Sequence, residues 1–200
     1  GKTNILESIV VLALTKSYKN INENNLIRLA KKKTKIKGTV KNDKSLKNLE
    51  IEIMETEKVV KVNNKRVYCL ADYISNLNIV LFTPDDLELI KGSPSIRRNL
   101  LNMELSQLSS LYLNTYNQYN KILRTRNEYL KILYTNNIAD KKYLDILTEQ
   151  LIDKATVIYK LRNEYLEKIN KNINSIFKNI TGEENLSILY KPNISFSNYE

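Results

Sequence analysis

The sequence predicts an α/β fold in which a compact head carries a long antiparallel helical hairpin arm. Three observations predict it. Residues 2–14 hold apolar positions at a helical beat (Ile5, Leu6, Ile9, Leu12, Ala13). Between residues 26 and 68 the period switches to two, as in strands with one wet face. From Ser106 onward an apolar stripe at spacings of three and four runs through two long segments. Two hundred residues, 42% of them hydrophobic, suit one domain or one and a half with a sizeable core.

The first element reads GKTNILESIVVLAL. Gly1, Lys2 and Thr3 match the last three positions of the phosphate-loop pattern GxxxxGK[ST], and the five residues and the strand that precede them in that pattern are absent from the sequence. The residue types suit the chemistry. Backbone N–H groups of a Gly-rich turn surround phosphates, a lysine reaches the β and γ oxygens, and a Ser or Thr hydroxyl ligates Mg²⁺. Gly1 allows close backbone approach, and Asn4 falls at the helix start beside the phosphates. The competing reading is an ordinary helix start. No charge follows until Glu7, and Ile9 to Leu14 is apolar enough to lie under a sheet.

Thr15 to Asn25 is polar and reads as a loop. In KTKIKGTVK (Lys33 to Lys41), Lys33, Lys35 and Lys37 fall on one face, with Thr34, Ile36 and Val40 on the other. In Leu49 to Ile53, Glu50 and Glu52 oppose three aliphatic residues. Two such strands pair Lys with Glu on the wet face, and that pairing is preferred to a nucleic-acid role for these lysines. Asn63-Asn64 between two short strand-like runs predicts a type I′ hairpin turn. The stretch from about Leu26 to Tyr68 is therefore expected to form an antiparallel β layer.

Leu70 to Asn76 predicts one or two helical turns, and Leu77 to Phe82 a short strand buried on both faces. Thr83-Pro84-Asp85-Asp86 supplies a cap, a proline at the first helical position and acidic residues in the first turn. Ser93-Pro94 repeats the device. Arg97 and Arg98 then stand in a first turn, where the helix dipole disfavours cations. Their expected partners are either nearby carboxylates (Asp85, Asp86 or Glu88), or a phosphate or a carboxylate across an interface, which suits paired guanidinium groups.

The arm follows. Leu108, Leu111 or Tyr112, Thr115, Tyr119, Ile122, Tyr129 and Leu133 form one stripe. A break at Asn136-Asn137 and a cap at Asp140 lead into a second stripe, from Leu144 to Ile180, ended by Thr181-Gly182. Lys121, Arg124, Arg126, Lys131, Lys154, Lys160, Arg162, Lys168, Lys171 and Lys178 line the polar sides, as a solvated face with ion pairs of small worth or as a path for a nucleic-acid backbone. LSILY, Leu186 to Tyr190, predicts a strand returning to the β region. The expected division is a partial head over 1–92, the arm over 93–182 and the return over 183–200.

A formal charge of +10 favours polyanionic partners, with nucleic acid ahead of an anionic membrane. A single cysteine, Cys69, excludes an internal disulfide framework and suits a reducing, cytoplasmic setting. The absence of histidine removes His-based triads, and with one cysteine a zinc site is not expected. No apolar run approaches the roughly 18 residues of a membrane span.

Thr83 to Leu108, TPDDLELIKGSPSIRRNLLNMELSQL, resembles the RecF family of bacterial recombination and replication-repair proteins, ATPases of the SMC and ABC type. The family pattern is matched at Pro84, Asp85, Asp86, Leu87, Leu89, Ile90, Gly92, Ser93, Pro94, Arg97 and Arg98. GKTNILESI and QYNKILRTRNEYLK (Gln118 to Lys131) are similar to the family's phosphate loop and arm. Two positions depart: Ser17-Tyr18-Lys19 stands where the family commonly has Ser-His-Arg, and Leu101-Asn102 where an aromatic or Leu and an Asp are usual.

The resemblance implies a truncated ABC-type P-loop ATPase head with ATP and Mg as cofactors, forming an ATP-dependent homodimer on DNA junctions or gaps beside other recombination mediator proteins. It implies that Lys2 and Thr3 contact phosphate and Mg²⁺, and that Arg97 and Arg98 serve a dimer interface or DNA phosphate. The signature motif and the catalytic carboxylate of such heads have no counterpart in the sequence. These 200 residues alone are therefore expected neither to bind nor to hydrolyse ATP appreciably. The competing classes are a non-enzymatic basic coiled-coil module, another SMC-like ATPase and a small phosphotransferase.

Overall fold

The computed structural model describes residues 1–19, 22–43, 45–136 and 141–192. Helix α1 (Lys2–Leu14) is followed by a 3₁₀ turn, Glu23–Leu26, which overlaps the end of the stretch expected to be loop. Strands β1 (Lys33–Asn42), β2 (Ser45–Met54), β3 (Lys58–Val62) and β4 (Lys65–Val67) then form one antiparallel sheet in sequence order. Lys35 stands opposite Glu52, and Lys37 opposite Glu50. Asn63 and Asn64 both take positive φ, 50° and 65°, as a type I′ turn demands. The β layer thus forms as its alternation and turn chemistry predict.

One face of the sheet is dry. Leu49, Ile51, Ile53 and Val60 are buried with Val10, Val11, Leu12 and Ala13 of α1 and with Ala71, Tyr73 and Ile74 of α2 (Leu70–Ile74). Each buried aliphatic contributes about 1.5 to 3 kcal/mol. Gly38 sits where helix and sheet approach closely, since a Cβ there would stand 2.5 Å from Leu12 Cδ2. A Cβ-free residue in β1 is what lets Leu12 seat.

Two expected strands do not form. Residues 77–82 carry no regular secondary structure and join no ladder among the described residues, and Val80 and Phe82 lie exposed rather than buried. An apolar run becomes a strand only beside a strand, and here the neighbour is a side chain. The Gln107 amide accepts from Ile79 N–H (2.9 Å) and donates to Ile79 C=O (3.3 Å). Residues 186–190 likewise do not form a strand. Asn170 on α6 (Lys142–Thr181) accepts from Ile188 N–H and donates to Ile188 C=O, each at 2.9 Å, and so takes the place of a strand partner.

Helix α3 (Glu88–Lys91) and α4 (Pro94–Leu108) follow the 3₁₀ turn Pro84–Leu87. Extended backbone at Ser109 separates α4 from α5 (Ser110–Asn136), so the first long helix begins at Ser110 rather than Ser106. Helices α5 and α6 pair in opposite directions: Tyr112 meets Arg162, Arg126 meets Thr148, and Tyr129 meets Tyr143. Tyr112, Thr115, Leu147, Ile158 and Leu166 are buried. Left-handed Gly182 (φ 77°) ends α6 as expected. The expected break at 136–137 and cap at Asp140 fall on or beside residues outside the described ones.

The compact units are residues 1–110 and 111–200. The first extends past the expected boundary at 92, because α4 packs against α2 and α3. No described helix is long and apolar enough to cross a membrane.

Candidate phosphate site and the Thr83 to Leu108 segment

Helix α1 starts at Lys2 with Gly1 as its cap position, and no side chain caps it. The first backbone bond of the helix is a long one, from Ile5 N–H to Gly1 C=O at 3.3 Å. A helix leaves its first N–H groups without internal partners. Here Lys2, Thr3 and Asn4 are exposed, and none of their side chains has a hydrogen-bond or ion-pair partner among the described residues. A lysine ammonium, a Thr hydroxyl, an Asn amide and unspent N–H groups all belong to the first turn, at the positive end of a 13-residue helix. This donor set fits a polyphosphate. The Thr3 hydroxyl is also a fitting Mg²⁺ ligand, since that ion takes few protein ligands and keeps several waters. Among the described residues no cluster of acidic, Cys or His side chains forms a separate metal site. Gly1 is unconstrained by protein neighbours: a Cβ there would meet nothing within 4 Å.

One turn beyond Thr3, on the same helix face, stands Glu7, a residue that sequence reasoning passed over. Its carboxylate is largely buried and accepts from the Ser17 hydroxyl (2.6 Å) and the Lys19 ammonium (2.7 Å). The hydrogen bond from Lys19, then that from Ser17, holds the Glu7 carboxyl below the usual carboxylate range. Ser17-Tyr18-Lys19, the departure from the family pattern, therefore supplies the two groups that fix this carboxylate. The signal was a lone acid in an apolar helix, four residues after Thr3.

The far end of α1 is fastened. The buried Tyr73 hydroxyl donates to Leu12 C=O at 2.9 Å. Lys58 Nζ donates to Thr15 C=O at 2.9 Å and pairs with Glu23 at 2.8 Å. Thr15 itself is left-handed (φ 61°), an uncommon state for a β-branched residue, and its buried Oγ1 has no partner among the described residues.

In the second segment, Asp86 accepts from the Thr83 N–H at 2.5 Å and the Thr83 hydroxyl at 3.3 Å, which spends that donor within the chain. Gly92 is required by contact, because a Cβ would lie 2.5 Å from Glu88 O, the acceptor of the Gly92 N–H at 2.7 Å. Ser93 and Pro94 start α4, although Ser93 Oγ bonds Ser95 Oγ rather than the helix backbone.

Arg97 then folds back, and its guanidinium donates to Leu89 C=O (3.0 Å) and Gly92 C=O (3.1 Å). The sequence offered Asp85, Asp86 and Glu88 as its internal partners. The partners are instead carbonyls at the end of α3, where a helix dipole favours a cation. Arg98 is exposed and has no partner among the described residues. Gly, Ser-Pro and Arg at this spacing make one corner between two helices. The phosphate-type residues 1–4 and the arginine pair have no hydrogen bond or ion pair between them.

A helix opening on Gly-Lys-Thr with its donors unspent, an antiparallel sheet beneath it and a helical hairpin beyond define the class: a partial P-loop head of the ABC type bearing an arm. No protein-family model matches the chain. It is 39% identical over 198 residues to the DNA replication and repair protein RecF of Listeria welshimeri, covering 98% of this chain and 54% of that one. The corresponding protein of Bacillus cereus is also 39% identical, with 98% and 53% covered.

Among solved structures, the recombination mediator protein RecF with ATPrS, in the RecFOR pathway, superposes with a TM-score of 0.86 at 30% identity, over 92% of this chain and 50% of that one. The same mediator with ATP gives 0.86 at 28% identity, over 97% and 55%. The chain belongs to the RecF family and spans about half the length of the curated relatives it matches.

Proposed function

We propose that the chain is the phosphate-loop and arm portion of an ATP-dependent DNA-binding protein of recombinational repair and replication-fork maintenance, acting as a nucleotide-controlled dimeric clamp. The observation that carries this reading is the open start of α1, with Lys2, Thr3 and Asn4 unpartnered, in a chain related to RecF over 98% of its length. Lys2 would neutralise the β and γ oxygens of ATP, Thr3 would ligate Mg²⁺, and the N–H groups behind Gly1 would cradle phosphate, with Asn4 at the rim.

Bound Mg·ATP would supply the negative charge that two protomers close upon. Arg98 is the arginine available for a phosphate or a carboxylate across that interface, and Arg97 shapes the corner that presents it. The partners that this reading names are DNA junctions or gaps, a second copy of the protein and other recombination mediators.

The test uses the protein extended to the length of its relatives. Sedimentation with and without Mg·ATP should show a nucleotide-dependent dimer whose dissociation from gapped DNA slows when ATP is bound. Lys2→Ala should abolish both effects. Unchanged DNA retention in Lys2→Ala would sink the clamp and favour a basic binding module without nucleotide control.

A further inference from the structure

We propose that the solvent face of the β1–β4 sheet is a docking surface for the phosphate backbone of double-stranded nucleic acid. The inference names where the DNA partner of the preceding reading would lie, and it rests on that reading only for the partner's presence. The sheet has one dry face against α1 and α2; on its other face the outward residues of β1 are exposed, while Glu50 and Val59 are buried. Lys33, Lys35, Lys37, Thr39 and Lys41 of β1 alternate outward, and Asn48, Glu50 and Glu52 of β2 stand beside them in register. Lys61 of β3 and Arg66 of β4 continue the row that begins at Lys37 and Glu50.

The charges on this face do not balance. Glu50 is shared by three ammonium groups, those of Lys35 (2.8 Å), Lys37 (3.0 Å) and Lys61 (3.2 Å). Glu52 takes Lys33 at 2.5 Å, and Arg66 reaches Glu57 in the turn at 2.6 Å. Lys41 has no partner among the described residues. The ion pairing that the lysine-rich strand predicts is therefore real but incomplete. The two carboxylates hold a set of like charges together at fixed spacing and leave a net positive plane.

Lys33 and Lys37 keep 60% and 64% of their side-chain surface in water, so their ammonium groups remain open to a second anion. Alternate residues on a strand lie about 6.8 Å apart and neighbouring strands about 4.8 Å. A grid of cations at that pitch matches a polyanion whose charges repeat every few ångströms along its length. The face offers bases little to stack on. The aromatic residue at its edge, Tyr68, already lies under the Arg66 guanidinium at 5.3 Å. That favours a duplex backbone over a single strand, for which aromatic platforms are the usual device.

Fluorescence anisotropy with a labelled 30-bp duplex, across a salt series and with and without Mg·ATP, tests the assignment on the full-length protein. Lys33→Gln, Lys37→Gln and Lys41→Gln together should weaken duplex binding about tenfold or more at 0.1 M salt and flatten the log–log salt slope by about 2 to 3. Glu50→Gln with Glu52→Gln should tighten binding about threefold or more, a gain that loss of structural ion pairs alone does not produce.

A salt slope unchanged in the lysine triple variant, or a loss seen instead in Lys121→Gln, Arg124→Gln, Lys131→Gln, would overturn it. Binding by the wild type to anionic vesicles rather than to the duplex would also overturn it. Loss of nucleotide control with a normal response to the sheet variants would break the clamp reading and leave this surface standing.

Discussion

The two ends of α1 are built to opposite specifications. At its C-terminal end Val10 to Ala13 are buried, Tyr73 and Lys58 bond the Leu12 and Thr15 carbonyls, and a left-handed threonine is tolerated. At its N-terminal end Gly1 to Asn4 are exposed, the side chains of Lys2, Thr3 and Asn4 have no partner among the described residues, and Ile5, Leu6 and Ile9 stay partly in water. Glu7, tied to Ser17 and Lys19, marks the boundary. A helix fixed from behind can offer its dipole and donors to an anion at its front without reorganising. The start of the 83–91 segment shows the alternative, where Asp86 closes on Thr83 and leaves less for a ligand.

The largest effect that would sharpen this contrast is on stability. Leu12→Ala, at the fastened end, should cost about 2 to 5 kcal/mol in urea denaturation, whereas Ile5→Ala should fall within about 0.5 kcal/mol of the parent. Equal losses would erase the distinction. Tyr73→Phe comes next: it strips the Leu12 carbonyl of a buried donor and should cost about 1 to 2 kcal/mol, with the m-value unchanged.

The smallest effect concerns pH. The Glu7 carboxyl is lowered by Lys19 and Ser17, and that of Glu50 falls to about 2 through Lys35, Lys37 and Lys61. In acid the unfolded chain binds protons at these sites before the folded one does. Stability should therefore hold above about pH 4.5 and decline as pH falls toward 2. Glu7→Gln should flatten that decline while leaving the slope above pH 5 intact, and a slope identical to the parent's would show the boundary carboxylate to be slack.

The sheet was legible because each signal was local: alternation in Lys33 to Lys41, Glu50 and Glu52 opposite, and Asn63-Asn64 at the turn. The start of α1 was legible for the same reason. Residues 77–82 and 186–190 were misread because apolar runs do not encode their neighbours; Gln107 and Asn170, distant in sequence, supply the backbone bonds there. Arg97 was misjudged because side-chain carboxylates are visible in a sequence, whereas carbonyls at a helix end become acceptors only after folding. Glu7 was overlooked because its partners lie ten and twelve residues away, in a stretch that reads as a loop.

The most direct measurement is the Mg·ATP affinity of the full-length protein and of its Lys2→Ala variant by titration calorimetry, with thermal melts of both in the absence of nucleotide. Coincident melts and an affinity weakened about a hundredfold or more are expected, since a charged contact to phosphate is lost from an end that carries no structural load. Equal affinities, or a lowered melting temperature in the variant without nucleotide, would contradict that expectation.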